Sequence, residues 1–218
     1  MKLMIASDIH GSAYYCRELL EAWKREKPEK LVLLGDLLYH GPRNDLPRDY
    51  APKEVIAMLN GIRQELLCVR GNCDTEVDQM VLEFPILADY CWFYVPGRAQ
   101  ENGGEPERRD RMVFVTHGHV FHEGNLPMLK AGDILLTGHT HVPAFREHLG
   151  ALKMTDSLPE GDRDLQSPEA ATGQGGYLYM NPGSVSIPKE GSWHGYMICQ
   201  DGCFIWKDLS GTEQMRCL

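Results

Sequence analysis

No apolar stretch of the 218-residue chain approaches the ~20 residues that a membrane-spanning helix needs, so no membrane partner is expected. Positive charge is also in short supply. Against 31 Asp and Glu there are only 22 Lys and Arg, a formal net charge of −9, and no basic footprint for tracking a nucleic-acid backbone. That argues against sequence-specific nucleic-acid binding, although it leaves phosphodiester substrates open, because bound metal ions can supply positive charge locally. Paired cysteines are missing too. The seven Cys are scattered and odd in number, and Cys199-x-x-x-Cys203 has no second pair to complete a zinc site. They read as free, packing thiols. The apolar run after Met1 is too short for a secretory leader, so a reducing, cytoplasmic setting is expected. No internal repeat marks a solenoid.

What is present is an ordinary globular balance, 43% hydrophobic and 24% charged, in a length that suits a single domain over 1–218. Leu3–Ala6, Leu31–Leu34 and Leu66–Val69 are short continuous apolar runs, the signature of buried strands. Between them lie helical spacings: Cys16, Leu19, Leu20 and Trp23 after a capping Ser12, then Val55, Leu59 and Ile62 after Pro52. Strand, helix, strand, helix, strand implies βαβ units and a sheet covered on both faces. The second half reads as further strands at 91–95, 112–115 and 134–136 with short helical matter between, then a β-rich end at 177–180, 196–199 and 204–206. The last two are joined at Asp201-Gly202 as a hairpin. Two sheets packed together and flanked by helices accommodate this. The non-periodic stretches at about 97–110 and 158–176 read as surface-loop insertions.

Five short runs hold metal-ligand residues: Asp8-Ile9-His10, Gly35-Asp36, Gly71-Asn72-Cys73-Asp74, His117-Gly118-His119 and Gly138-His139-Thr140-His141. Most follow an apolar run directly, which brings ligands from several strand ends to one sheet edge. Carboxylate, amide and imidazole donors suit two divalent first-row ions better than a thiolate zinc site. A carboxylate is the best bridge between two ions, and Asp36 is the candidate. Asp8 and His10, two apart, would point the same way in an extended strand. His139 and His141 can each reach a different ion. Asn72 can bind a metal and hydrogen-bond a substrate oxygen, and Asp74 is read as supporting. His40, Arg43 and Asn44 follow the Asp36 strand end and would line the substrate mouth, with Arg43 suited to a phosphate oxygen. His122 is a weaker candidate at an expected helix start, and Arg70 is expected to orient a ligand carboxylate.

In this order, D-x-H, G-D, G-N-x-D, H-G-H and G-H-T-H, the runs resemble those of the calcineurin-like metallophosphoesterase superfamily, and within it the YfcE-type bacterial phosphodiesterases. The likeness extends to Asn125-Leu126-Pro127 and to Asn181-Pro182-Gly183-Ser184. The resemblance implies an α/β fold, a four-layer α/β/β/α sandwich with the metal site at the strand ends. It implies one ion on Asp8, His10, Asp36 and His141, and a second on Asp36, Asn72, His117 and His139. It places His119 beside the site and gives the Asn181 loop a structural role. The ions implied are Mn²⁺, with Zn²⁺, Fe²⁺, Ni²⁺ or Co²⁺ as alternatives. The chemistry implied is hydrolysis of a phosphodiester by attack of a metal-bridging hydroxide, by a homo-oligomer, dimer or tetramer. Many relatives in the wider superfamily have His after the Asn, acting as a general acid. Here Cys73 stands there: a neutral thiol is a poorer acid and adds no positive charge for a monoester dianion. Cys73 is thus either part of the catalytic set, with Asn72 and His119, or a packing residue. The alternatives are a phosphomonoesterase, a 2′,3′-cyclic nucleotide phosphodiesterase, or a non-catalytic scaffold on the same fold.

Overall fold

The computed structural model describes residues 1–96, 99–100, 107–108, 110–149 and 176–217. The expected βαβ units form its first half. Strand β1 (Lys2–Ala6) leads into helix α1 (Ala13–Glu26), β2 (Lys30–Leu33), α2 (Pro52–Gly61) and β3 (Leu66–Cys68), with all three strands parallel. Ser12 caps α1 by accepting the Tyr15 N–H, and the helix stops at Lys27, left-handed at φ 50°, before Pro28. Pro52 opens α2 in the first turn, where its missing N–H is not needed.

The later strands complete two sheets. On the free side of β1, β11 (Gly195–Gln200), β12 (Cys203–Asp208) and β13 (Glu213–Cys217) extend the first sheet antiparallel, in the order β13-β12-β11-β1-β2-β3. Asp201 and Gly202 turn between β11 and β12 with φ of 50° and 80°, as the Asp-Gly signal requires. The second sheet has the order β4-β7-β8-β10-β9, from β4 (Tyr90–Val95), β7 (Arg111–Thr116), β8 (Ile134–Leu136), β9 (Pro143–His148) and β10 (Tyr177–Pro182). A small pair, β5 (Ala99–Gln100) and β6 (Glu107–Arg108), lies within the first expected insertion. Residues 97–98, 101–106, 109 and 158–175 lie outside the described residues.

Side-chain alternation explains the continuous apolar runs. Along β1, Leu3 and Ile5 point to the second sheet, into a core with Val32, Val113, Val115, Met180 and Trp206. Met4 and Ala6 point the other way, against Cys16, Leu19, Val55 and Leu59 of the helices. Both faces are dry, so no polar residue interrupts the run. The outer face of the second sheet is covered differently from expectation. Phe121, Leu126 and Leu129 pack there on Phe114, Leu135 and Tyr179, from an irregular segment rather than short helices. Gly124, Pro127 and Gly132 deny that segment a helix, and His122 sits in a bridge with Asn125, not at a helix start. The half-exposed strands β9 and β13 carry no apolar run and were not legible in the sequence.

A half-buried ionic knot joins α1 to the first sheet. The Glu26 carboxylate accepts from Lys2 Nζ at 2.8 Å, Lys207 Nζ at 2.6 Å and Tyr196 Oη at 3.0 Å. Burial alone would raise its pKa, but these bonds outweigh it and bring the carboxyl from 4.5 to about 2. A depressed carboxylate stabilises the fold above its unfolded pKa and loses that contribution as pH falls through the folded one. Glu26→Gln is therefore expected to cost ~1–3 kcal/mol at pH 7, the lower end reflecting solvent screening. It should also flatten the loss of stability between about pH 4.5 and pH 2. Urea unfolding of both proteins across that range checks it: parallel curves would contradict the assignment.

Candidate functional site

The five runs leave the C-terminal ends of β1, β2, β3, β7 and β8 and meet at one edge of the sandwich. β1 ends at Ala6, so Asp8 and His10 do not lie in an extended strand as their spacing suggested. They sit in the left-handed region, with φ of 60° and 48°, as do Asp36 at 56°, His139 at 67° and His141 at 63°. Left-handed backbone at non-glycine residues carries strain and persists where the surroundings hold it in place. Here the surroundings are a dense set of buried hydrogen bonds.

Three of the four ligand imidazoles are aimed by their other nitrogen. His10 Nδ1 lies 2.6 Å from the Tyr39 carbonyl, His117 Nδ1 2.7 Å from Leu34 O and His141 Nδ1 2.7 Å from Ile187 O. Donation to a carbonyl protonates Nδ1 and leaves Nε2 as a lone pair facing inward. The inward nitrogens crowd together. His10 Nε2 is 3.2 Å from His141 Nε2, and His117 Nε2 is 3.2 Å from His139 Nδ1. Asp8 Oδ1 is 3.2 Å from His141 Nε2 and 3.5 Å from His10 Nε2. Asp36 Oδ2 is 3.5 Å from His117 Nε2 and 3.7 Å from His10 Nε2, so one oxygen faces both groups. Asn72 Oδ1 is 3.1 Å from His117 Nε2.

The donors thus fall into two main groups: Asp8, His10 and His141, and Asp36, His117 and His139. Cys73 Sγ gathers with His10 and Asp36 in a third. Asp8 Oδ1 is buried and has no hydrogen-bond partner, an expensive state for a carboxylate oxygen unless a cation meets it. Lone pairs facing one another across 3.2 Å, with hard oxygens between, fit divalent cations. The carboxylates draw positive charge there. For His117, burial works against protonation, but the Asp36 contact and Asp8 outweigh it and push the pKa up to about 9. His139 is brought down to about 4, first by burial and then by His117.

Supporting residues fix the ligands in turn. Asp74 accepts from the backbone N–H of Asp36 (2.8 Å), Leu37 (2.9 Å) and Gly71 (2.8 Å), locking the second ligand run against the third. Arg70 Nε donates to the Asp74 carbonyl at 3.2 Å, so it braces this support and not a ligand carboxylate. Gly71 must be glycine, because a Cβ there would fall 2.1 Å from Asp36 Oδ1. Cys73 donates its N–H to Asp36 Oδ1 at 2.8 Å, and its thiol is held protonated, first by burial and then by the Asp36 charge. The Asn181 loop does hold the site: Ser184 and Ser186 hydroxyls donate to the Asp8 carbonyl at 2.9 and 3.1 Å, and Asn181 Nδ2 donates to Gly138 O at 2.7 Å.

The structure therefore brings Asp8, His10, Asp36, Asn72, His117, His139 and His141 together. His119 stands beside them, its ring 5.4 Å from that of His117, with its pKa lowered by burial and then by His117. A cavity of about 500 Å³ opens over the site, lined by His10, Asp36, Asn72, Cys73, His139 and His141, and by Arg43, Asn44, Thr140 and Lys189. The His40 ring packs edge-on against Tyr39 and Tyr50 and is not among the lining residues. Sequence reasoning passed over two residues. Ser7 donates to Asp8 Oδ2 at 2.6 Å, and Lys189 reaches the cavity from a distant loop. A buried polar residue ending an apolar run was the available signal for Ser7; none existed for Lys189.

Comparisons with known proteins point one way. The model of the calcineurin-like phosphoesterase superfamily domain matches residues 1–200. The phosphodiesterase YfcE of Escherichia coli K12 is 41% identical over 192 residues, 88% of this chain and 83% of that protein. The solved structure of the E. coli phosphoesterase Yfce superposes with a TM-score of 0.76 at 36% identity, covering 100% of this chain and 98% of that one.

Proposed function

Because the chain belongs to the calcineurin-like phosphoesterase superfamily, we propose that its cluster of carboxylates and imidazoles holds two divalent ions and hydrolyses phosphodiesters. The activity is that of a phosphodiesterase, a phosphoric ester hydrolase. The observation that carries the metal reading is Asp8 Oδ1, buried with no hydrogen bond while facing His10 Nε2 at 3.5 Å and His141 Nε2 at 3.2 Å. Asp8, His10, Asp36 and His141 would hold one ion, and Asp36, Asn72, His117 and His139 the other. Such ions lower the pKa of water and polarise phosphoryl oxygens. The protein's own part is arrangement. Backbone carbonyls fix the imidazole tautomers, and Asp36 presents one oxygen to both ligand groups. Asn72 Nδ2, now 3.2 Å from Cys73 Sγ, offers an N–H to a phosphoryl oxygen. Arg43 in the cavity wall adds positive charge to the substrate approach. His119, neutral at pH 7, can relay a proton at the edge of the site.

Cys73 sets the ester class. A neutral thiol beside Asp36 offers no charge to a monoester dianion, whereas a diester carries one charge fewer. Mn²⁺ as the working ion, the cytoplasm and a homo-oligomer, dimer or tetramer, complete the proposal. Seven free cysteines support the reducing compartment. Bis(p-nitrophenyl) phosphate and p-nitrophenyl phosphate, assayed after chelation and after Mn²⁺ is restored, test the whole. Turnover should vanish with chelation, return with Mn²⁺ and favour the diester. Cys73→His should raise the monoester-to-diester ratio about a hundredfold, the lower end of the usual range for a positioned acid. A fully metallated protein that turns over neither ester would indicate the scaffold instead. An unchanged ratio in Cys73→His would reduce Cys73 to packing.

A further inference from the structure

We propose that Arg43 and Lys189 form an anion subsite at the cavity mouth, so that the preferred diester carries a second phosphate or carboxylate beyond the bond it loses. This rests on the phosphodiesterase reading above and names the class of substrate. The cavity is lined by residues of both ligand groups, His10 and His141 of one and Asp36, Asn72 and His139 of the other, so it opens over the site as a whole. Its volume of about 500 Å³ lies in the range of pockets that enclose whole small molecules, leaving room beyond a single phosphoryl group.

The two cations rise from the two loops that aim His10 and His141. Tyr39, whose carbonyl lies 2.6 Å from His10 Nδ1, starts the loop carrying Arg43. Asn44 closes this loop by donating to the His40 carbonyl at 2.8 Å. Ile187, whose carbonyl faces His141 Nδ1 at 2.7 Å, precedes Lys189, and the Lys189 N–H donates to the His141 carbonyl at 3.1 Å. Ser192 then donates twice to the Lys189 carbonyl, through N–H at 3.0 Å and Oγ at 2.6 Å. Backbone anchoring thus fixes where each long side chain begins.

Charge makes the case for an anion other than the scissile group. Among the described residues neither Arg43 nor Lys189 pairs with a carboxylate, whereas Arg17, Lys24, Arg146, Lys207 and Arg216 all do. Among the described residues Lys27, Lys53 and Lys130 also form no ion pair, so what sets Arg43 and Lys189 apart is that these unpaired cations line the cavity. A monoanionic diester held by two divalent ions is already neutralised. A planar guanidinium and an ammonium lining the same cavity suit a further anionic group.

Calorimetry on the Mn²⁺-loaded full chain, with thymidine 5′-monophosphate and thymidine 3′,5′-bisphosphate as probes, reads the subsite without turnover. The bisphosphate should bind about tenfold tighter at low salt, as expected for one charge-assisted contact set. The advantage should shrink at about 0.5 M salt, where exposed charges are screened. Lys189→Ala and Arg43→Ala should each reduce it, the double variant should abolish it, and Lys189→Arg should retain it. Equal affinities in the unmodified protein, or an advantage that survives the double variant, would overturn the proposal. So would equal weakening of both probes, since the cations would then serve the metal-bound phosphoryl group. Hydrolysis of bis(p-nitrophenyl) phosphate is read separately: its absence defeats the phosphodiesterase reading, while the ratio of affinities still reports on the subsite.

Discussion

Asp36→Asn is expected to lower kcat/KM for a phosphodiester by about a thousandfold or more, on the order of 4 kcal/mol of transition-state stabilisation. Among the described residues, Asp36 Oδ2 is the one carboxylate oxygen that pairs with both His10 (3.7 Å) and His117 (3.5 Å). An amide of the same shape can still accept the Cys73 N–H that Oδ1 now holds at 2.8 Å, so the loop should keep its form. What disappears is the negative charge that two cations would share, and a neutral amide is a poor bridge between them. Metal content by mass spectrometry should fall from two ions per chain to about one, while the unfolding midpoint of the metal-free protein stays close to normal. A variant that kept two ions and most of its turnover would remove Asp36 from the bridging role.

Asp74→Ala carries the largest expected loss of stability. Its carboxylate is buried and satisfies three backbone N–H groups, of Asp36, Leu37 and Gly71. Burial is the first cause of its raised pKa, opposed by those same bonds. Removing the carboxylate strands all three donors, at ~1–3 kcal/mol each where water cannot reach. A total of about 3 kcal/mol allows for partial rehydration of the vacated space and corresponds to a drop in Tm of roughly 6–12 °C for a chain of this size. Turnover should fall as well, because Asp36 N and Gly71 N hold the second and third ligand runs in register. Asp74→Asn, which retains one acceptor oxygen, should lie between the two in thermal unfolding. If Asp74→Ala melted within 2 °C of the unmodified protein, the brace would be unnecessary and water would be doing its work.

Much of this site was readable because metal chemistry restricts residue type. Asp8, His10, Asp36, His139 and His141 follow directly on short apolar runs, and a buried strand that ends in a ligand is visible in one dimension. The first sheet was legible for the same reason. In β1, Leu3 and Ile5 meet the other sheet while Met4 and Ala6 meet helices, so burial on both faces writes an unbroken apolar run. Strands with one wet face, such as β9 and β13, leave no such trace, and their pairing is decided by neighbours. The cover of the second sheet was misread because three apolar anchors, Phe121, Leu126 and Leu129, can be spaced by a loop as readily as by a helix.

The sequence alone determined which groups could ligate, in what order they come, and that a thiol replaces an imidazole at position 73. Only the tertiary structure decided how they face one another. Left-handed backbone at five of the ligands turns them in ways that strand periodicity does not describe. The carbonyls of Leu34, Tyr39 and Ile187 choose which imidazole nitrogen points inward, and they come from positions 83, 29 and 46 residues away from their partners. Lys189 joins the cavity because its backbone is tied to His141 across the fold. Such selections depend on distance and direction in space, for which spacing along the chain carries no code.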